Sequence, residues 1–559
     1  MTSIYVSPFP HLPIPKSNLL TYLYPPNTTA SSTPIWIDAS DPTKSLSPRQ
    51  ALSWVRRLGY GLDRLKVPKA SVVLIYTPNH IFVPVAYQGI VGSGRIFCGV
   101  NPAYTQFEVE HQLRDTGAGV ILVHPSLVST AVKAAETVGV PRGGIFLFSD
   151  DDEELRSESF PGVSDWKRMI GTEEEGVTWK WDEISGETAV STIATVNYSS
   201  GTTGLPKGVC GSHYNLIANS EQTIFMRDQG LPHAVVPASR PEERWVGFLP
   251  LYHAYGQLYA CIMASKLSFP VYIMRKFMYE DFLTTIQKYR ITNLQVAPPI
   301  LIMLDKRPET SRYDLSSVRN ILCGAAPLSR DLQNSIQTRF GINVVQGWGM
   351  TEVTCGAIHV PGGNYDESGS VGFLDPNCEA KLLDEEANPV LPGEPGELYI
   401  RGPNVCLGYW KNEAATKDSF DAEGWLKTGD VMRVSGDRFW VVDRKKELIK
   451  VNALQVSPAE LEAVLLGHEG IADAAVVGVM GEDGQERPRA YVQMSDRMGG
   501  KLSERDIQGY MQARVAKHKQ LVGGVQFVEE VPRLASGKLH RKVLKEWAKR
   551  DTASLRAKL

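Results

Sequence analysis

The sequence YSSGTTGLPKGV occupies residues 198–209 and follows a β-branched, apolar run, STIATVN, at 191–197. That run predicts a buried strand. Glycines in the segment after it let the backbone turn sharply and come close to a ligand. Backbone N–H groups and hydroxyls can then surround phosphate oxygens, while a lysine supplies charge. We therefore expect a loop that binds a nucleoside triphosphate, formed by Ser199, Ser200, Gly201, Thr202, Thr203, Gly204 and Lys207.

Two other interpretations of this segment are weaker. A flexible linker has the same composition, but it does not need a strand directly before it. The Walker pattern requires a lysine followed by Ser or Thr, whereas Gly208 follows Lys207 here. The segment instead resembles the phosphate loop of the adenylate-forming superfamily. That superfamily includes acyl- and aryl-CoA synthetases, luciferases and the adenylation domains of peptide synthetases.

Length and composition fit an enzyme with several domains. The chain has 559 residues, which exceeds the length that a single hydrophobic core usually spans. Its net charge of −3 means that the chain as a whole is not a polycation of the kind that binds nucleic acid. The seven cysteines are scattered without metal-type spacing, which favours free thiols in a reducing compartment. The most apolar stretch, 258–274, contains Lys266 and Pro270, so we expect no membrane span, and the first residues do not read as a secretory signal.

Alternation of helical and strand patterns predicts the fold. Residues 47–65 have helical spacing, SVVLIY at 71–76 is a strand pattern, and 82–94 is helical again. Such alternation indicates an α/β fold with helix-covered, mostly parallel sheets. Short strands rich in Gly and Pro after Pro389 suggest a small β subdomain. The resemblance, which extends over about residues 45–545, implies a hinge between a domain at 1–443 and a small, mobile α/β domain at 444–559.

The resemblance assigns several elements to the nucleotide. Trp348 stands where relatives stack an aromatic ring on adenine, and Asp430 matches the acid that binds the ribose. Glu352 matches a residue that handles Mg²⁺, and a cation bound to phosphates needs only one or two protein oxygens. The remaining residues assigned to ATP in this way are Gly324, Ala325, Ala326, Pro327, Gly347, Gly349, Met350, Thr351, Arg444 and Gln455.

An acyl pocket is expected beside the nucleotide. His253 lies in FLPLYHAYG at 248–256; a lone histidine among aromatics is usually structural. The resemblance instead implies a catalytic gate between ATP and the acid. No acidic residue occurs in this stretch to pair with an ammonium group, which favours a carboxylic acid without an α-amine. The predicted pocket residues are His253, Tyr255, Cys323, Gly324, Cys355 and Gly356.

Two lysines near the end of the chain imply two half-reactions. Lys538 resembles the mobile lysine that forms the acyl-adenylate. Lys450, Asn452 and Ala453 resemble the face that serves thioester formation, although relatives usually have Lys-Gly where Asn452-Ala453 stand. The methyl group of Ala453 would narrow the path that pantetheine takes in relatives with glycine at this position.

The resemblance is greatest to ligases of the 4-coumarate–CoA type, which use ATP, Mg²⁺ and coenzyme A on an aryl or medium-chain acid or a precursor of secondary metabolism. Transfer to the phosphopantetheine of a carrier protein is an alternative. A non-catalytic nucleotide-binding protein is a second alternative, of another class.

The last three residues are Ala557-Lys558-Leu559. They resemble the Ser-Lys-Leu peroxisomal address, with Ala in place of Ser. We therefore expect a peroxisomal import receptor as a partner, and otherwise a cytoplasmic protein.

Overall fold

A computed structural model describes residues 4–151, 160–199, 206–236, 239–451, 454–481, 486–495, 502–534 and 537–556. Its strands are β1 Tyr5–Val6, β2 Trp36–Asp38, β3 Ser45–Leu46, β4 Val72–Tyr76, β5 Ile96–Val100, β6 Val120–Val123, β7 Ile145–Leu147, β8 Ser164–Asp165, β9 Ile193–Ser199, β10 Lys207–Ser212, β11 Trp245–Gly247, β12 Val271–Ile273, β13 Asn293–Val296, β14 Asn320–Cys323, β15 Asn343–Trp348, β16 Ile358–His359, β17 Phe373–Leu374, β18 Glu379–Leu383, β19 Gly396–Arg401, β20 Leu426–Ser435, β21 Arg438–Arg444, β22 Ile449–Val451, β23 Leu454–Val456, β24 Ile471–Met480, β25 Glu486–Met494 and β26 Val525–Val528.

The α-helices alternate with these strands over most of the chain. They are α1 Leu19–Leu23, α2 Pro48–Arg64, α3 Val83–Gly92, α4 Gln106–Thr116, α5 Val128–Val138, α6 Trp166–Met169, α7 Glu173–Thr178, α8 Gly186–Ser191, α9 His213–Asp228, α10 Pro232–Val235, α11 Ala254–Gly256, α12 Ala264–Leu267, α13 Tyr279–Tyr289, α14 Pro298–Lys306, α15 Arg330–Phe340, α16 Glu413–Ser419, α17 Pro458–Leu466, α18 Glu504–Gln512 and α19 Arg541–Arg556. In the described residues, no helix is both long enough and apolar enough to cross a bilayer.

Two mixed sheets form the body of the large domain. The first has the order β10-β9-β5-β4-β6-β7-β8, and all its neighbours are parallel except the β9–β10 hairpin. The second has the order β17-β16-β15-β14-β13-β11-β12-β2-β3, with a parallel centre and antiparallel edges. Helical crossovers cover parallel strands on both faces, which explains the apolar runs read from the sequence. The mostly parallel, helix-covered sheets are confirmed.

A separate antiparallel sheet forms the small β subdomain, with the order β1-β18-β19-β20-β21. The expected subdomain is confirmed, but it begins earlier than Pro389. Its first strands are β1, near the start of the chain, and β18. The pairing of β1 joins segments more than 370 residues apart, as Tyr5 opposite Ala380 shows, and local sequence patterns do not reveal such pairs.

The C-terminal domain is a smaller α/β unit with its own apolar core. The hairpin β22–β23 precedes the sheet β24-β25-β26, against which α17 and α19 pack. Its core includes Val456, Leu461, Ile471 and Ile507, all fully buried. The predicted fold class, a large N-terminal domain with a smaller C-terminal one, is confirmed.

His213 links α9 to the N-terminal segment. Ser212 caps α9 through a capping box with Asn215. The first helical residue, His213, is 1% exposed, and its Nδ1 accepts a hydrogen bond of 3.0 Å from the N–H of Leu19. Burial lowers the pKa of His213 from 6.5 to about 4. The folded chain therefore holds this ring neutral at pH values where an unfolded chain protonates it.

This burial predicts a loss of stability in acid. Because the folded pKa lies below the unfolded one, the stabilisation is complete above about pH 6.5 and is lost as the pH falls towards 4. At pH 5 the loss amounts to about 2 kcal/mol. In His213→Asn the side-chain oxygen can still accept a hydrogen bond from Leu19, but it does not titrate. Between pH 7 and pH 5, the free energy of unfolding measured in urea should therefore fall by about 2 kcal/mol less in this variant than in the wild type.

The exposed His11 gives the matched control for the exchange itself, because His11→Asn should leave the free energy of unfolding at pH 7 unchanged. An unaltered pH dependence in His213→Asn would refute this account of the buried ring.

Candidate active site

A cavity of about 330 Å³ lies between the large domain and the C-terminal domain. The segments that follow β14 and β15 form one wall, at the carboxyl ends of adjacent parallel strands, where α/β sheets commonly bind ligands. The C-terminal domain closes the opposite side through α17 and the turn that carries Lys538. The residues predicted for the nucleotide that line this cavity are Ala325, Ala326, Pro327, Gly347, Trp348, Gly349, Asp430 and Arg444.

Asp430 is held in position by its neighbours. Its Oδ2 accepts a hydrogen bond of 2.8 Å from the indole Nε1 of Trp348, and its Oδ1 lies 3.4 Å from Nε of Arg444. Its own N–H donates to the Thr428 hydroxyl at 3.1 Å. Trp348 and Asp430 come from different sheets, so this contact joins the parallel sheet to the β subdomain at the cavity. The aromatic ring and the carboxylate predicted for adenine and ribose therefore lie together.

Glu352 contacts Ser199, at the start of the predicted phosphate loop, and Tyr409, whose ring lies beside Lys207. Its Oε1 accepts hydrogen bonds from the hydroxyls of Ser199 at 3.1 Å and Tyr409 at 2.9 Å. Nζ of Lys207 lies 5.2 Å from the centre of the Tyr409 ring. The other predicted loop positions, Ser200, Gly201, Thr202, Thr203 and Gly204, lie outside the described residues.

No group of three or more metal-ligating side chains occurs among the residues that the structure covers. The single carboxylate of Glu352 fits a Mg²⁺ ion whose remaining ligands come from phosphates and water.

Lys538 stands where this cavity meets a second, narrower one, and it lines both. Gly537, which precedes it, has a φ of 83°, and a Cβ there would lie 3.1 Å from the Cβ of Ala297. Nη1 of Arg533 donates to the Gly537 carbonyl at 2.9 Å, while Asp473 binds the same guanidinium at 2.8 Å. Burial, and then the positive charge of Arg444, lower the pKa of Lys538, whereas Asp430 and Glu352 favour its charged form.

The narrower cavity is a slot of about 50 Å³. One of its walls is a continuous helical segment in which the π-helix Gln257–Met263 joins α11 to α12. Such π-helical turns are frequent at functional sites because they re-aim side chains. The predicted pocket residues His253, Tyr255, Gly324, Cys355 and Gly356 line the slot, as do the predicted nucleotide residues Met350 and Thr351.

His253 is a neutral residue of the slot wall near Lys538. Its Nδ1 accepts a hydrogen bond of 3.4 Å from the N–H of Tyr255, which caps α11. Burial, together with the nearby charge of Lys538, lowers the pKa of His253 to about 3. An uncharged ring here leaves the lysine as the cation nearest to the slot.

The prediction for Cys323 is wrong. Cys323 is 2% exposed and packs into the core cluster on the far side of β14, while its neighbour Leu322 lines the slot. Side chains of a strand alternate between its two faces, so one register step decides which residue reaches the pocket.

Five further residues of the slot wall were not predicted from the sequence: Ala254, Leu258, Tyr259, Leu322 and His359. The helical spacing of Leu258 and Tyr259 after Tyr255 was a usable signal. His359 had none.

Lys450, predicted for the thiolation face, lines neither cavity in this conformation. Lys450 has 65% of its side chain exposed and lies 3.7 Å from Glu385, and Gln455 donates to the same carboxylate at 2.9 Å. Gln455 is therefore not on the nucleotide cavity, contrary to the prediction. Asn452 and Ala453 lie outside the described residues.

Comparison with known proteins gives consistent matches. Residues 25–410 match the AMP-binding enzyme family, and residues 460–538 match the AMP-binding enzyme C-terminal domain. Phenylacetyl-CoA ligase epaB of Aspergillus niger is 34% identical over 546 residues, which are 96% of this chain and 98% of that protein. Probable 4-coumarate–CoA ligase 3 of Dictyostelium discoideum is 34% identical over 517 residues, 90% of each chain. The structure of the anthranilate CoA ligase AuaEII with anthranoyl-AMP superposes with a TM-score of 0.83 at 24% identity and covers 97% of this chain and 99% of its own.

Proposed function

Because this chain belongs to the AMP-binding enzyme family and is an AMP-forming acyl-CoA synthetase, we propose that it activates an aryl or medium-chain carboxylic acid without an α-amine. The observation that carries the proposal is the position of Lys538, which lines both the nucleotide cavity and the slot. An acid in the slot and an ATP in the larger cavity would meet at this ammonium group.

In the first half-reaction, a carboxylate oxygen attacks the α-phosphorus of ATP. The bond from that phosphorus to the bridging oxygen breaks, and pyrophosphate leaves with its electrons. Two anions must approach each other for this step, so Lys538 acts by offsetting their repulsion and aligning them. Asp430 and Trp348 orient the nucleoside. Neutral His253 separates the two ligands without adding charge.

We also propose that Mg²⁺ accompanies ATP, with Glu352 as its protein ligand. A divalent cation supplies charge neutralisation on the phosphates. The hydrogen bonds of Ser199 and Tyr409 to Oε1 of Glu352 support this role because they hold the carboxylate beside Ser199, the first residue of the predicted phosphate loop.

In the second half-reaction, the thiol of CoA attacks the acyl carbon, the thiol proton goes to solvent and AMP leaves. Because 65% of its side chain is exposed, Lys450 would have to move to reach the substrate during thioester formation. Its position therefore supports a rotation of the C-terminal domain between the half-reactions. Contacts across the interface include hydrogen bonds from Nζ of Lys306 to the carbonyls of Leu466 at 2.7 Å and His468 at 3.2 Å. Contacts of this kind exchange readily for water.

Lys538→Ala should separate the half-reactions. We expect pyrophosphate release with ATP and a panel of benzoate-type, cinnamate-type, medium-chain and secondary-metabolite precursor acids to fall by at least about 100-fold, the usual effect of losing one electrostatic stabiliser. Thioester formation from a supplied acyl-adenylate should be spared. Lys542→Ala, an exposed position on α19, serves as the control.

Equal loss of both half-reactions would contradict this division of labour. The same assay, run with CoA or with a carrier protein as the acceptor, decides between the CoA ligase and the carrier-loading alternative. Absence of pyrophosphate release with every acid would instead favour a non-catalytic nucleotide-binding protein.

We further propose that the protein is imported into peroxisomes by the receptor for C-terminal addresses. The support is Ala557-Lys558-Leu559, which lies outside the described residues. Deletion of Leu559 should leave a fluorescent N-terminal fusion diffuse in the cytosol, whereas Ala557→Ser should keep it punctate. Punctate import of the truncated form would remove this proposal.

A further inference from the structure

Residues 349–357 connect β15 to β16 and border both cavities. Gly349 lines the slot and the nucleotide cavity, whereas Cys355 and Gly356 line only the slot. Between them in the chain lies Glu352, the carboxylate proposed above for Mg²⁺. One short connection therefore carries groups for both proposed substrates.

The backbone of this connection turns sharply at Thr354. Its φ is 69° and its ψ is −42°, and the N–H of Cys355 donates to the carbonyl of Val353 at 2.8 Å. These angles and this hydrogen bond define a γ-turn with a positive φ at its centre, which is the rare and strained form. A β-branched residue is an outlier at such a φ. Strain of this kind persists only where the surroundings impose the conformation, and it concentrates at functional sites.

The γ-turn comes very close to the backbone that follows β15. A Cβ at Gly349 would lie 1.7 Å from the carbonyl oxygen of Cys355, so only a glycine permits this approach. The turn thus packs directly against a residue that borders both cavities. A shift of the turn would therefore move the wall of the slot relative to the nucleotide cavity.

Asn404 holds the γ-turn from the segment that follows β19. It is fully buried, and its Nδ2 donates to the carbonyls of Val353 at 3.3 Å and Gly356 at 2.8 Å. Its own carbonyl accepts a hydrogen bond of 2.6 Å from the hydroxyl of Thr354. One residue therefore binds the turn on both sides and at its centre.

Helix α9 fixes this anchor in turn. Nδ2 of Asn215 donates to the two carbonyls that flank Asn404 in the chain, at 2.8 and 2.9 Å. One helical turn later, Nδ2 of Asn219 donates to the Gly356 carbonyl at 2.6 Å. The strained turn is therefore held by side chains that a long helix supports.

We propose that Thr354 and Asn404 are positioning residues for the first half-reaction. They hold residues 352–356 in the strained turn and so fix the wall of the slot relative to Glu352. This aligns a carboxylate in the slot with the α-phosphorus of ATP. Neither residue lines the slot or the nucleotide cavity, so both act through the turn. This inference rests on the proposed function, because it concerns the alignment of the same two substrates.

The strain determines what happens when the hydroxyl of Thr354 is lost. A hydrogen bond of this kind favours the turn by about fivefold, and backbone strain opposes it by about fivefold or more. In Thr354→Val the hydroxyl is lost but the strain remains, so the turn should relax. In Thr354→Gly the strain is lost as well, because glycine adopts a positive φ freely. The variant that loses more of the side chain should therefore keep the better-placed turn.

The test measures both half-reactions of the full-length enzyme with the acid of the panel that the wild type uses fastest. For pyrophosphate release, kcat should fall at least about tenfold in Thr354→Val, because misalignment costs rate more than binding. In Thr354→Ser, which keeps the hydroxyl, kcat should stay within about threefold of the wild type. Thr354→Gly should be at least about threefold faster than Thr354→Val. KM for ATP should change by less than about twofold in all three.

The second half-reaction separates positioning from a general structural role. Thioester formation from a supplied acyl-adenylate should stay within about twofold in all three variants, because the acid is then already joined to AMP and needs no alignment. Asn404→Ala removes the anchor itself and should show the same pattern as Thr354→Val. Urea unfolding of each variant checks that it is folded, and Thr354 is only half-buried, so its exchange is well tolerated.

Two exposed positions give matched controls. The hydroxyl of Thr137 on α5 also donates to a backbone carbonyl, that of Lys133 at 2.9 Å, so Thr137→Val removes a similar hydrogen bond. Ala70 has a φ of 59°, so Ala70→Gly relieves a similar backbone conformation. Both controls should leave kcat for pyrophosphate release unchanged.

Three results would overturn this inference and leave the proposed function standing. They are an unchanged kcat in Thr354→Val, an equal loss of both half-reactions or of folding in that variant, and a Thr354→Gly enzyme no faster than Thr354→Val. Absence of pyrophosphate release by the wild type with every acid would instead remove the proposed function together with this inference.

Discussion

The approach of two anions is the constraint on which this structure depends. A carboxylate and a triphosphate repel each other, and burial in a cleft strengthens the repulsion because the surroundings screen it poorly. Lys538 lines the junction of the slot and the nucleotide cavity, and the nearby carboxylates of Asp430 and Glu352 favour its charged form although burial lowers its pKa. Neutral His253 adds no competing charge. The junction thus concentrates its positive charge on a side chain that belongs to the smaller domain.

This arrangement makes the position of the C-terminal domain decisive. The turn that carries Lys538 is fixed within that domain by Arg533, which binds Asp473. Arg541 pairs with both Glu447 and Glu462 and so links the start of α19 to the hinge and to α17. These contacts keep the lysine in place relative to its own domain, whereas the contacts of Lys306 across the interface are hydrogen bonds to carbonyls. Lys538 can therefore be fixed within its own domain and still leave the active site when that domain rotates.

Local sequence patterns predicted the parts of the fold that local physics determines. The buried strand β4 and the alternation of strands and helices follow from short-range rules. Short-range rules do not determine which side of a strand faces a pocket. The choice between Cys323 and Leu322 depends on a single register step, and the prediction named the wrong residue. A cavity of about 400 Å³ between α9 and the strands β13, β14 and β15 arises from packing between segments far apart in the chain, for which no short motif exists. Placement of Lys450 and Gln455 depends on the orientation of a domain, which sequence motifs do not encode.

A crystal structure of the protein with AMP bound tests the central claim most directly. The account predicts the adenine against Trp348, the ribose hydroxyls within hydrogen-bonding distance of Asp430, and the α-phosphate facing Lys538 at the mouth of the slot. A nucleotide bound elsewhere, with those three side chains unoccupied, would contradict it.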